Sequence, residues 1–347
     1  MFTPEQEGRE CPAAATGGEI MPLVSMTELL AGAKAGGYAV CYCESWNLES
    51  LQAVIEAAEE VRAPVVAGFN GGFLMHPQRS RPERLVYFSC LAAAVRASSA
   101  PVAFLLNETD DLAQIEESIG AGFNSVMVEN ASLGPLEYRQ RVKEVVRMAR
   151  ASHASVEAQI GHLPNGWDLG NGAGEVTDPK RVRAFVEETG IDALGVSIGN
   201  VHVLTRGKAR INLDSLKEIH HAVDIPLVIH GGTGFPAECA GEAISLGVAK
   251  FNFGTNLKQA YLAAVREALG AYAEPMNPHH FLGMGGDRDI MVAGRNAVKQ
   301  KVKELILAYG YAGRPRRADI QSGRAAAVSP AEDSYRRSVG ECATKSV

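Results

Sequence analysis

Short apolar runs bounded by Gly, Pro or Asn alternate along the chain with longer segments whose apolar positions return at helical spacing. The runs at 38–43 (YAVCYC), 63–69 (APVVAGF), 101–107 (PVAFLLN), 124–129 (NSVMVE), 154–161 (ASVEAQIG) and 192–199 (DALGVSIG) predict six strands. Two more fall inside 226–256, PLVIHGGTGFPAECAGEAISLGVAKFNFGTN, which reads as strand, Gly-rich turn, helix-length segment and strand. Helical spacing marks 26–35, 48–61, 82–97, 110–119, 135–150, 179–189 and 296–307. Strands separated throughout by helix-length segments predict a closed (β/α)8 TIM barrel rather than an open sheet. The Gly- and Asn-rich stretch 162–178 then reads as a mobile loop over the barrel mouth.

The ends differ from the middle. Residues 1–20 read as a flexible leader, 21–312 as the barrel, and 313–347, which lack a regular apolar pattern, as a disordered tail. Arg314, Arg316 and Arg317 in that tail read as solvated charges.

With 347 residues, 46% hydrophobic content, 21% charged content and 36 glycines, the chain suits a globular α/β enzyme. A net charge of -6 argues against nucleic acid as a partner. No apolar run is long enough to span a bilayer, and the start carries no apolar signal core. Six cysteines without a C-x-x-C pair point to a reduced, cytoplasmic setting with inert thiols.

In a (β/α)8 barrel, side chains at strand exits converge on the mouth, where chemistry is done. Glu108, His202 and His230 lie at or just beyond the exits of the third, sixth and seventh strands. One carboxylate and two imidazoles suit a catalytic divalent metal with open positions for substrate. The same residues also suit hydrogen-bonded barrel histidines or metal-free acid/base groups. Gly231, Gly232 and Gly234 expose backbone N–H groups around Thr233, while Asn252, Gly254 and Thr255 precede a helix whose amino end attracts anions. Arg206, four residues after His202, is a candidate bidentate donor to the same anion. Tight barrel turns without a ligand are the alternative for these glycines.

From Met21 to about Tyr311 the chain resembles the class II, metal-dependent fructose-bisphosphate and tagatose-bisphosphate aldolases. The matching stretches are MPLVS, NLESLQAVIEAA, SVMVENASL, SVEAQIG, TDPKRVRAFVEETGIDALGVSIG, DIPLVIHGGTG and AISLGVAKFNFGTNLK. The resemblance implies a barrel enzyme in which three histidines bind zinc, and the metal polarises a ketose carbonyl and stabilises an enediolate. His202 and His230 match two of those histidines. Glu108 stands in place of the third, and Asn107 in place of the aspartate that moves a proton on the hydroxyl being cleaved. Glu44 replaces an asparagine, Asn70 a serine that contacts phosphate, Val203 a glycine, and Gln159 a glutamate near the metal, whereas Glu157 is retained. Gly231, Thr233 (for serine), Asn252 and Thr255 keep the phosphate turns, with Arg206 substituting for lysine.

A carboxylate in place of a neutral imidazole adds a negative charge at the metal, and an asparagine can orient a hydroxyl but cannot accept its proton. The expected function is therefore an aldolase-type carbon–carbon lyase with a rebuilt reaction centre, acting on a phosphorylated sugar. Glu44, or Asp168, Glu175 or His162 from the loop, would serve as the base. Zinc is the expected metal, with Mn2+, Fe2+ or Co2+ as alternatives, and the resemblance implies a homodimer or homotetramer. An isomerase or epimerase using the same enediolate, or an inactive sugar-phosphate-binding protein, are the competing readings.

Overall fold

The structure, a computed structural model, describes residues 23–129, 133–161, 163–166 and 176–309. The expected leader and tail, and the loop candidates His162, Asp168 and Glu175, lie outside the described residues. The strands are β1 (Val40–Ser45), β2 (Val65–Asn70), β3 (Val102–Thr109), β4 (Ser125–Val128), β5 (Ser155–Ile160), β6 (Ala193–Val196), β7 (Leu227–Ile229) and β8 (Val248–Phe253). All pair in parallel with their sequence neighbours, and β8 returns to β1, so the sheet closes as an eight-stranded barrel. The helices are α1 (Met26–Gly36), α2 (Leu48–Val61), α3 (Gly71–Leu74), α4 (Ser89–Arg96), α5 (Leu112–Gly120), α6 (Pro135–Ala151), α7 (Pro179–Thr189), α8 (Leu213–Ala222), α9 (Ala240–Ser245), α10 (Thr255–Leu269) and α11 (Ile290–Ala308).

Local sequence explains the helix starts. Asn47 and Ser50 form a reciprocal capping box at α2, and Asp178 caps α7 ahead of Pro179 at its first position. Segment 82–97 departs from the single helix its spacing predicts: a 3-10 turn at Leu85–Phe88 precedes α4. Leu85 and Phe88, three apart, are both buried, and the 3-10 geometry stacks residues at that spacing on one side.

Alternation along the strands separates two cores. Outward side chains such as Cys41, Cys43, Val65 and Phe104 pack against the helices. Burial pushes both thiols well above their ordinary range, which keeps them inert. Inward side chains, Val40, Tyr42, Val66, Leu105 and Met127 among them, fill the lower barrel, and α1 closes it from below with Met26, Leu29 and Leu30.

Two register shifts interrupt this regularity. Between Leu106 and Thr109 the β3–β4 pairing slips, and between Leu227 and Val228 the β7–β8 pairing moves from Val248 to Lys250. A bulge re-aims the side chains beyond it. The first turns Glu108 toward the mouth, and the second puts Lys250 inside the barrel, where it is fully buried.

Candidate active site

Above the apolar lower barrel, the inward positions become polar. Glu44 on β1 follows Tyr42 on the inner face, Asn70 and Asn107 end the inner rows of β2 and β3, and His230 and Asn252 do so at β7 and β8; all five are buried.

Glu108 adopts φ 55°, a left-handed backbone that costs a non-glycine residue roughly 1–2 kcal/mol. Its carboxylate receives a hydrogen bond on each oxygen: Asn70 Nδ2 donates to Oε2 at 2.6 Å, and Asn107 Nδ2 to Oε1 at 2.9 Å. Asn70 is oriented for this because its Oδ1 accepts from Phe73 N and caps α3. Asn107 Oδ1 is buried and has no hydrogen-bond partner among the described residues. Asn70, a phosphate candidate from sequence, thus has its Nδ2 on Glu108.

His230 Nδ1 lies 3.1 Å from Glu108 Oε1, and His202 Nε2 lies 4.0 Å from the same oxygen. The two imidazoles stack with ring centroids 5.7 Å apart. Donor atoms of Glu108, His202 and His230 all fall within 4.8 Å of one another, which suits one divalent cation between them. On the far side of His230, Nε2 meets Glu157 Oε1 at 2.7 Å. Asn200, fully buried, donates to the His230 carbonyl at 2.9 Å and accepts from Ile198 N, tying the β6 exit to β7. His202 is held against 163–166, with its N donating to Pro164 O at 3.0 Å and its carbonyl accepting from Gly166 N at 2.7 Å. Val203 follows at φ 49°, a conformation natural to the glycine that the family resemblance puts there.

Electrostatics follow from this packing. Burial opposes ionisation of Glu108, but His202, His230 and Asn107 outweigh it and hold the carboxyl well below its usual range. Burial likewise works against a charged His230, yet the hydrogen bonds to Glu108 and Glu157 raise it to about 9. Glu157 is also lowered, because Lys250 and His230 overcome its desolvation.

Glu44 points into the same mouth. Its Oε1 accepts from Lys258 Nζ on the first turn of α10, and that ammonium sits 4.5 Å from the centre of the Phe73 ring. Burial raises the Glu44 pKa, Lys258 pulls it down, Glu108 adds to the rise, and the net direction is upward. Gly254 makes room for it: a Cβ there would stand 2.3 Å from Glu44 Oε2.

The anion turns take shape beside these residues. Gly231 has φ 71°, and a Cβ would meet Val201 O at 2.0 Å, so only glycine lets the β7 turn approach the β6 loop. Thr233 Oγ1 accepts from Asn256 N at 3.4 Å, joining that turn to the amino end of α10, where Thr255 is the first residue. Asn252 Oδ1 accepts from Lys250 Nζ, and its Nδ2 lies 3.2 Å from His230 Nε2. Arg206 stands exposed on the loop after His202 and forms no hydrogen bond or ion pair with the described residues; that loop docks through Ala209 N to Gly234 O. Gln159 donates from Nε2 to Glu129 Oε1 at 3.1 Å.

Lys250 and Lys258 were not singled out by sequence. A lysine two residues before Asn252, inside an otherwise apolar strand, was the available signal for the first. For the second, only its place one turn into the helix after GTN pointed to the mouth.

A profile of the family described as fructose-bisphosphate aldolase class-II matches residues 24–314. The fructose-bisphosphate aldolase of Staphylococcus aureus (strain Mu50 / ATCC 700699) is 35% identical over 302 residues, covering 85% of this chain and 99% of that protein. Its namesake from Staphylococcus epidermidis (strain ATCC 12228 / FDA PCI 1200) is 34% identical over 305 residues, with the same coverage. Among solved structures, the YdjI aldolase from Escherichia coli K12 superposes with a TM-score of 0.70 at 29% identity, over 84% of this chain and 98% of that one. Among the described residues no helix is long and apolar enough to cross a membrane. Sequence match, closed barrel and a metal-capable mouth agree: this chain belongs to the class II fructose-bisphosphate aldolase family, as a metal-dependent aldolase-type lyase.

Proposed function

We propose that the enzyme makes or breaks a carbon–carbon bond in a phosphorylated ketose, with Glu108, His202 and His230 holding the metal and Glu44 acting as the base. The observation that carries this reading is the convergence of those three donors within 4.8 Å at the barrel mouth. A divalent cation bound there supplies Lewis acidity toward the substrate carbonyl. Zinc fits the two imidazoles, and the carboxylate in the set also admits Mn2+, Fe2+ or Co2+.

In the cleavage direction a substrate hydroxyl loses its proton, the adjacent C–C bond breaks, an aldehyde leaves, and the electron pair passes toward the carbonyl. Asn107 Oδ1, buried and without a partner among the described residues, is the acceptor that orients that hydroxyl. A carboxamide cannot take the proton, so the task passes to the Glu44 carboxylate, which is inward-facing and has a raised pKa. Lys258 holds Glu44 in the resting site. The phosphate sits against Gly231, Thr233, Gly254 and Thr255, with Asn252 beside them and Arg206 on the adjoining loop. A cytoplasmic homodimer or homotetramer is the assembly the family suggests.

The test is a chelator-stripped enzyme offered phosphorylated ketoses with each of the four metals. Aldehyde release should return with at least one metal and stay absent without any. Failure of all four to restore cleavage or aldol formation would sink the proposal.

A further inference from the structure

Lys250 is a charged side chain with no solvent exposure, lodged inside the barrel beneath the mouth, and neither metal binding nor proton transfer uses it directly. The β7–β8 register shift is what turns it inward, in phase with Asn252. Its ammonium has two partners: Glu157 Oε2 at 2.8 Å and Asn252 Oδ1 at 2.8 Å. It also lies 5.2 Å from the centre of the Tyr42 ring.

Both partners lead to the same imidazole. Glu157, fully buried, uses its other oxygen to engage His230 Nε2 at 2.7 Å. Asn252, with its carbonyl oxygen committed to Lys250, turns its Nδ2 against the ring, 3.3 Å from Nδ1 and 3.2 Å from Nε2. We propose that Lys250 is the positioning residue of the metal centre: through Glu157 and Asn252 it fixes the ring plane of His230 and commits Nε2–H to Glu157, leaving Nδ1 to face Glu108.

Without Lys250, Glu157 Oε2 would lose the partner that fixes the orientation of this buried carboxylate. A carboxylate free to turn would no longer keep Oε1 against Nε2, so the ring could present either nitrogen. Asn252 would lose the acceptor commitment that decides which end of its carboxamide meets His230. Residues that orient a metal-bound histidine in this way typically account for about 10–100-fold in metal affinity.

The inference rests on the metal reading of Glu108, His202 and His230, and its test separates the two. Purified apoprotein is titrated with Zn2+ alone, and with Mn2+ alone, against a competing chelator. Absence of tight binding by the wild type would defeat the metal reading itself. Given wild-type binding, Lys250→Met should weaken it by about 10–100-fold. Because Lys250→Met leaves Glu157 buried without a counter-charge, Lys250→Met/Glu157→Gln removes both charges and keeps the measurement possible if the single variant does not fold. The Zn2+-loaded proteins are also compared by 15N-labelled histidine NMR. Wild type should show a protected His230 Nε2–H, and the variants should show it exchanging or lost. A merely structural lysine would lower the melting temperature and leave both metal affinity and this resonance unchanged. That outcome in either folded variant overturns the proposal.

Discussion

The two sides of the barrel mouth are built by different means. On the β7–β8 side, backbone geometry leads: Gly231 in a left-handed turn pressed on Val201, a 3-10 turn at Gly232–Gly234, and the amino end of α10 joined through Thr233. On the β1–β3 side, side chains lead: Glu44 against Lys258, and Asn70 and Asn107 both donating to Glu108. Backbone N–H groups serve almost any phosphate and tolerate change around them. Side-chain networks set which proton moves, and a new one needs several positions to change together. The resemblance to the family follows that division, with the turns proposed for phosphate kept and the facing wall replaced.

The largest break in this comparison is Glu108→Ala. It removes the charged donor and orphans two carboxamides, so metal affinity should fall by at least about 100-fold and cleavage should vanish, read by chelator competition and turnover. Retained metal binding would mean that the β1–β3 wall is not part of the centre. Glu44→Gln keeps shape but not basicity and should cost about 10^2–10^4 in kcat with metal affinity intact. An unchanged kcat would move the base elsewhere.

Gly254→Ala tests whether the two sides touch. The new Cβ would collide with Glu44 Oε2, displacing the carboxylate, and a shift of that size should cost about 10^2-fold in kcat. A larger effect on phosphate affinity than on kcat would instead assign Gly254 to the anion turn alone. Lys258→Met acts through pH. Glu44 must be ionised to act, and burial already lifts its pKa above the ordinary 4.5 while Lys258 lowers it. Activity therefore falls as pH drops through that raised value, and removing Lys258 should move this acid limb of kcat/KM further up in pH. A stationary limb would detach Lys258 from Glu44. The smallest change is Val203→Gly. Relief of the left-handed backbone should stabilise the fold by roughly 1 kcal/mol, seen in the melting temperature, with little effect on kcat.

Much of this was legible from one sequence because much of it is periodic. Strands such as 38–43 and 154–161 announce themselves by composition and bounding turns, and closure follows from their number and alternation with helices. Glu108, His202 and His230 could be gathered because strand exits share one end of a barrel. The partners of those residues could not. The hydrogen bond from Asn70 to Glu108 has no sequence signal, because an amide looks the same whichever end is bonded. Lys250 escaped notice because the register shift that turns it inward has no local signature. The segment 82–97 reads as one helix since spacing of three serves both helical forms.

Both register shifts sit one step from chemistry: one under Glu108, the other under Lys250. A bulge is a matter of residue count rather than residue identity, so insertion and deletion reach it where substitution cannot. Taking out Leu106 or Ala249 would leave Asn107, Glu108 and Lys250 present and still change the face from which they project. Strand length in these two places is therefore as tightly constrained as the identity of the residues that the shifts turn inward.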